Sequence, residues 1–360
     1  MFHVKLEGSL ATGLLGATLC LGGEVFVPEE RWERLTPIPN AQGLGGPYAG
    51  VSGGRLLVAG GANFPGAMPW AGGKKRWYDT IYALAEPQGH WEEVGKLPRP
   101  MGYGVCGTTA EGMICAGGSD LERHYPDTFL LRWESGKLVT QPLPPMPAPM
   151  ANGCGAVLGS TLHVAGGLST PASTNALRIF WALNLAEARP VWRELEPWPG
   201  PARMLAVAAA AGGAFYLFSG TDLSGDAAGK PVRHYLRDAY CYRPGAGWQK
   251  LADVPRPALA APSPAPVWAE THILVLSGDD GTKVDFQPLD QHPGFPRDIL
   301  SYDIARNTWS VAGQVRATQV TVPTALWRGR WVIPNGEIRP GVRTAEVWSL
   351  LATKAEAAKQ

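Results

Sequence analysis

Short apolar runs alternate with turn residues along this chain, and the alternation repeats. Two apolar runs joined by a small or polar turn, the second closing on a small residue and a glycine, occur six times. They end at Gly60-Gly61, Gly117-Gly118, Gly166-Gly167, Ser219-Gly220, Ser277-Gly278 and Asn335-Gly336, at intervals of 57, 49, 53, 58 and 58 residues. Runs such as Arg55–Ala59, Thr161–Ala165, Ala214–Phe218 and His272–Leu276 are brief, partly β-branched and bounded by turn residues, which reads as strand. After each pair come a variable loop, a third run carrying an aromatic residue, and a fourth run. Tryptophan opens the fourth run at Trp91, Trp192, Trp248 and Trp309, with proline trailing in most units.

One tryptophan-led run is left over at the front, Trp32 to Pro39, whereas the last unit has three runs and no such fourth. The N-terminal strand therefore supplies the outer strand of the last sheet, closing a ring that leaves only short sheet edges. The expected fold is all-β: a six-bladed β-propeller over residues 24–360. Repeats near fifty residues with Gly-Gly and a later Trp are of the kelch type. A two-domain β-sandwich does not explain six units in register. The small-Gly pairs let the second strand bend near the axis, and the tryptophans fill the outer gap between blades.

Composition agrees with many strands and tight turns: Gly 45 and Pro 33 in 360 residues. A net charge of +1 gives no basic footprint for nucleic acid. Cys20, Cys106, Cys115, Cys154 and Cys241 lack metal spacing and are expected as buried free thiols, although Cys106 and Cys115 fall on neighbouring runs. Residues 1–23 read as a secretory leader candidate, with a short, small-residue apolar run. That places the protein in the periplasm or outside the cell, and otherwise in the cytoplasm. No other stretch is apolar enough to span a bilayer.

Three places break the repeat. The loop 62–79 is long, aromatic and basic, suited to stacking on a sugar ring and pairing with a carboxylate. The loop 279–298 holds Asp279, Asp280 and His292 without a calcium-loop pattern. The segment 335–344 packs Glu337, Arg339 and Arg343 around Pro340-Gly341, and Glu337 follows directly where the other units keep their small-Gly pair. A carboxylate beside a guanidinium is held in the ionised form a general base needs; by composition alone a loop salt bridge is the favoured reading. Asn63, Arg99 and Arg203 are further polar candidates at loop and inner-strand starts. The seven histidines never pair at metal spacing, and no nucleophile elbow, P-loop or dinucleotide fingerprint occurs.

The pieces Tyr48-Ala49-Gly50-Val51, 57–64, Tyr78-Asp79-Thr80 and Asn335-Gly336-Glu337 through Pro340-Gly341-Val342-Arg343-Thr344-Ala345 resemble the kelch-type N-acetylneuraminate epimerases, in particular a circularly permuted subgroup. The resemblance covers about residues 30–350. It implies interconversion of the α and β anomers of an acidic sugar, N-acetylneuraminate, by ring opening without a cofactor. It implies Glu337 as general base and Arg343 as the residue that binds the sugar carboxylate or steadies an oxyanion. Asn63, Arg99, Arg203 and Arg339 are carried as substrate-binding candidates and no metal is implied. The loops after Gly61 and Gly278 depart from the family pattern. The competing expectations are a non-catalytic kelch propeller that binds a protein or glycan, and a copper oxidase of the same fold, for which no ligand constellation is present.

Overall fold

The computed structural model describes residues 25–353, so the leader expected at 1–23 lies outside them. Six four-stranded antiparallel sheets follow one another. In chain order, blade I is Tyr48–Ser52, Arg55–Ala59, Thr80–Leu84 and Trp91–Lys96. Blade II is Val105–Thr109, Gly112–Ala116, Thr128–Glu134 and Lys137–Leu143. Blade III is Cys154–Leu158, Thr161–Ala165, Phe180–Asn184 and Trp192–Glu194. Blade IV is Val207–Ala211, Ala214–Phe218, Ala239–Arg243 and Gly247–Lys250. Blade V is Val267–Trp268, His272–Leu276, Asp298–Asp303 and Thr308–Gln314. Blade VI is Ala325–Trp327, Arg330–Arg339 and Val342–Leu351, completed by Trp32–Leu35. Trp32 stands opposite Leu350 and Leu35 opposite Val347, the closure that the leftover tryptophan run implied.

The inner two strands of each blade are covered on both faces by neighbouring blades. They therefore read as continuous apolar runs rather than alternating ones; Ala214–Phe218 is buried throughout. Outer strands alternate more, and their tryptophans do more than fill space. The indole N–H groups of Trp91, Trp192, Trp248 and Trp309 donate to backbone carbonyls of the preceding blade's outer segment, at Thr36, Pro144, Glu196 and Ala252, over 2.8–2.9 Å. In blade II, Trp133 lies on the third strand instead.

At one mouth the six blades are joined by backbone alone. Gly46, Tyr103, Asn152, Leu205, Ala260 and Thr321 lie on the segments leading into the six inner strands, and all have left-handed φ, between 52° and 63°. Tyr103 N–H donates to Gly46 O, Asn152 to Tyr103, Leu205 to Asn152, Ala260 to Leu205, Thr321 to Ala260, and Gly46 back to Thr321, all at 2.7–2.8 Å. The circle is complete. Holding a non-glycine residue in this conformation costs about 1–2 kcal/mol, so five of the six positions persist because the ring over-determines them.

One residue earlier, each segment bridges to the residue after a small-Gly pair: Gly45 to Ala62, Gly102 to Ser119, Ala151 to Leu168, Met204 to Thr221, Leu259 to Asp279 and Val320 to Glu337. Small side chains close the bore beneath, leaving a cavity of about 70 Å³ bordered by all six blades. That holds about two waters, at roughly 30 Å³ each.

Cys106 and Cys115 are directly opposed across two strands, yet both are buried free thiols; burial pushes the Cys106 thiol up to about 12. His163 lies among Phe180, Phe215 and Tyr242, and burial pulls its imidazole down to about 4. Between about 6.5 and 4 the unfolded chain binds a proton there that the folded chain refuses, so stability falls as pH is lowered through that window. The fall reaches about 3 kcal/mol, at about 1.4 kcal/mol per pH unit. In His163→Leu, urea midpoints measured from pH 7 to pH 4.5 decline less steeply than in wild type. An unchanged decline would show that His163 is not held neutral.

Candidate active site

The second and third strands of blade VI run for 10 residues each, where the second strand of every other blade has five. The extension forms a hairpin that overhangs the ring. It is bent by irregularities at Pro334/Gly336 and Glu337/Arg339 and turned by Pro340-Gly341, with Gly341 at φ 79° as such a turn requires. Gly336 has φ 116°, and a Cβ there would lie 3.1 Å from the Val320 carbonyl, so a side chain would push the hairpin off its neighbour. Backbone bonds in both directions between Glu337 and Val320, each 2.9 Å, fix Glu337 one residue from the ring position Thr321.

Glu337 and Arg343 are cross-strand partners, and their side chains pair, Arg343 Nη2 to Glu337 Oε2, at 2.9 Å. The Gly341 N–H donates to Glu337 Oε1 at 2.9 Å. The pair is withdrawn from solvent but not sealed, with side-chain exposures of 6% for Arg343 and 16% for Glu337. Phe64 covers the guanidinium, 4.9 Å from ring centroid to Cζ.

Arg343 is incompletely satisfied. Its Nε and Nη1 are buried without an acceptor, and so is the Tyr103 hydroxyl. Each unsatisfied donor costs about 1–3 kcal/mol, which a planar anion meeting the guanidinium edge would recover. Both groups border the space above Gly45: a Cβ on that glycine would lie 2.9 Å from Arg343 Nε and 3.5 Å from Tyr103 Oη. Lys75 adds a cation nearby. Its ammonium sits 4.6 Å from the Tyr103 ring centroid and 5.2 Å from that of Trp77, and it makes no ion pair among the described residues. The loop 62–79 thus delivers Phe64 to the pair, and Lys75 with Trp77 to the neighbourhood of Tyr103.

The other sequence candidates are engaged in other contacts. Arg203 has no exposed surface; it binds Asp238 at 2.6 Å and the Ser219 carbonyl at 2.8 Å, stapling blade III to blade IV. Arg99 binds Asp127 at 2.6 Å between blades I and II, as Arg256 binds Asp298 at 2.9 Å between IV and V. These guanidiniums are inter-blade ties rather than groups turned toward a ligand. Asn63 is spent on local order: its amide donates to Gly43 O at 2.8 Å and Asn40 Oδ1 at 3.0 Å, and accepts from the Tyr78 hydroxyl at 2.9 Å. Arg339 turns to the Asp290 carbonyl, 2.6 Å away, tying the hairpin to the blade V loop.

Asp279 holds the blade V position equivalent to Glu337, but its oxygens accept from Tyr235 Oη at 3.0 Å and the Gly281 N–H at 2.9 Å. Among the described residues no group of three or more His, Cys, Asp or Glu is arranged to hold a metal. Tyr103 was missed from the sequence. It is the lone aromatic residue among the six ring positions, but its left-handed backbone is invisible before folding.

The staple reading predicts unequal costs. Arg203→Ala strands the buried Asp238 carboxylate and lowers stability by about 3–5 kcal/mol. Arg99→Ala breaks a part-exposed pair and costs about 1 kcal/mol or less. Urea unfolding measures both, and equal losses would contradict the assignment.

Comparison with known proteins gives a consistent family signal. The family model for N-acetylneuraminate epimerase matches residues 6–140. A protein named N-acetylneuraminate epimerase from Haemophilus influenzae (strain PittEE) is 30% identical over 229 residues, 57% of this chain and 58% of the relative. One of the same name from Yersinia enterocolitica is 33% identical over 151 residues, 38% of each chain. Another from Salmonella arizonae is 41% identical over 121 residues, 30% of this chain and 31% of the relative. The chain thus spans a little over half the length of the Haemophilus relative, and over that part it is similar to the N-acetylneuraminate epimerases.

Proposed function

We propose that the protein interconverts the α and β anomers of N-acetylneuraminate by opening and reclosing the pyranose ring. The observation that carries this is the Glu337–Arg343 pair, with one carboxylate near the surface and a guanidinium whose remaining donors lack acceptors. The name shared by the relatives supports the choice of sugar. Their partial alignment is what a ring cut at a different point produces, which supports the permuted arrangement.

Arg343 takes the sugar carboxylate on a free donor, Nε or Nη1, which sets the anomeric carbon beside Glu337. Glu337 removes the proton of the anomeric hydroxyl, the C=O bond forms, and the bond from the anomeric carbon to the ring oxygen breaks. The Tyr103 hydroxyl delivers a proton to the leaving ring oxygen. Rotation about the adjacent C–C bond presents the other carbonyl face, and reversal of the proton transfers closes the opposite anomer. Two protons move and both return, so the reaction needs neither redox chemistry nor a carried group. Arg343 contributes by orientation and by steadying the anion.

Exchange between anomers, followed by NMR, is faster with wild-type protein than without it. Glu337→Gln loses about 10²–10⁴-fold in rate, and Arg343→Met raises KM as well as lowering kcat. Exchange at the uncatalysed rate with wild type would leave a non-catalytic propeller. Undiminished acceleration by Glu337→Gln would remove the carboxylate from the mechanism.

A further inference from the structure

Tyr103 borders the space above Gly45 and also a second space. There, loops of blades I, II and III enclose an open cavity of about 260 Å³, bordered by Lys75, Trp77, Tyr103, His124, Asn152 and Leu168. This is room for roughly nine waters, more than the cavity of about 70 Å³ at the ring offers.

The polar groups of the cavity wall are biased toward donors. Tyr103 Oη and Trp77 Nε1 are both buried without a protein acceptor. Lys75 brings a cation that no carboxylate neutralises among the described residues. The carboxylate at the rim, Asp120, is already engaged by the Tyr125 hydroxyl and by the N–H groups of Glu122 and Arg123 at 2.8 and 2.9 Å. His124 donates Nδ1–H to the Leu168 carbonyl at 2.9 Å, and burial lowers its pKa, so it brings no charge at neutral pH. A donor-rich, partly open cavity selects a ligand portion rich in oxygen acceptors.

We propose that this cavity is a second compartment of the sugar site, which seats an exocyclic polyol chain of the acidic sugar whose carboxylate Arg343 holds. The inference rests on the assignment of the ion pair to an acidic sugar, and it names the feature by which the sugar is chosen. Lys75 and Trp77 make the length of that chain the specificity determinant. An acidic sugar with the same ring and carboxylate but a truncated chain leaves their donors unmet.

The test compares N-acetylneuraminate with its seven-carbon analogue, which lacks the last two carbons of the chain. Both anomer exchange and equilibrium binding by NMR titration are measured. Wild type favours the full-length sugar at least tenfold in kcat/KM and in affinity, and the ratio falls toward one in Lys75→Met and in Trp77→Phe. A wild-type ratio near one overturns the compartment, whether or not the variants fold, while leaving the mutarotase reading intact. Tenfold tighter binding of the longer sugar without accelerated exchange supports the compartment and removes the catalytic reading. No binding of either sugar overturns both.

Discussion

Six backbone N–H groups, one from each blade segment at the mouth, donate head to tail around the axis from Gly46 to Thr321. Every polar group of the mouth is placed relative to that circle. Because the ring is made of backbone, its geometry does not depend on side-chain identity, and each blade is free to present a different residue. Because it is closed, moving one blade strains five others. The left-handed conformations at Tyr103, Asn152, Leu205, Ala260 and Thr321 are each unfavourable alone. They are tolerated because a broken link leaves a buried donor and acceptor unmatched, at about 1–3 kcal/mol per group.

The site arises where this symmetry is broken. At the position following each small-Gly pair stand Ala62, Ser119, Leu168, Thr221, Asp279 and Glu337. Two of these are carboxylates, and Asp279 is bound by a hydroxyl and an amide on its own face of the mouth. Only Glu337 is matched with a guanidinium, and the extended hairpin of blade VI exists to carry that partner. A salt bridge made for stability alone would satisfy its arginine, since desolvating a guanidinium is costly. Arg203 meets a carboxylate and a carbonyl and leaves one donor, Nε, without an acceptor, where Arg343 leaves two.

This contrast also explains what could be read in the sequence. The fold was legible because its causes repeat: apolar runs and small-Gly pairs recur six times, and outer tryptophans five times. The hairpin around Glu337 was legible because it departs from the repeat. Arg99 and Arg203 misled for the complementary reason. Each is a charged residue at an inner-strand start, and only with Arg256, Asp127, Asp238 and Asp298 alongside do they show a recurring structural tie. Tyr103 was beyond reach, and Lys75 was legible only as one cation of a basic loop. The first owes its placement to a left-handed turn, the second to a loop whose course depends on the hairpin from Ala62–Asn63 to Arg76–Trp77.

The central claim is that Glu337 and Arg343 form one site for an acidic sugar above the ring, with the sugar carboxylate on a free donor of Arg343. A crystal structure of the protein with N-acetylneuraminate bound tests it directly. The account predicts the carboxylate within about 3 Å of Arg343 Nε or Nη1 and the anomeric hydroxyl within hydrogen-bond reach of Glu337. A sugar bound at the opposite mouth, or at this mouth with Arg343 Nε and Nη1 still unpartnered, would contradict it.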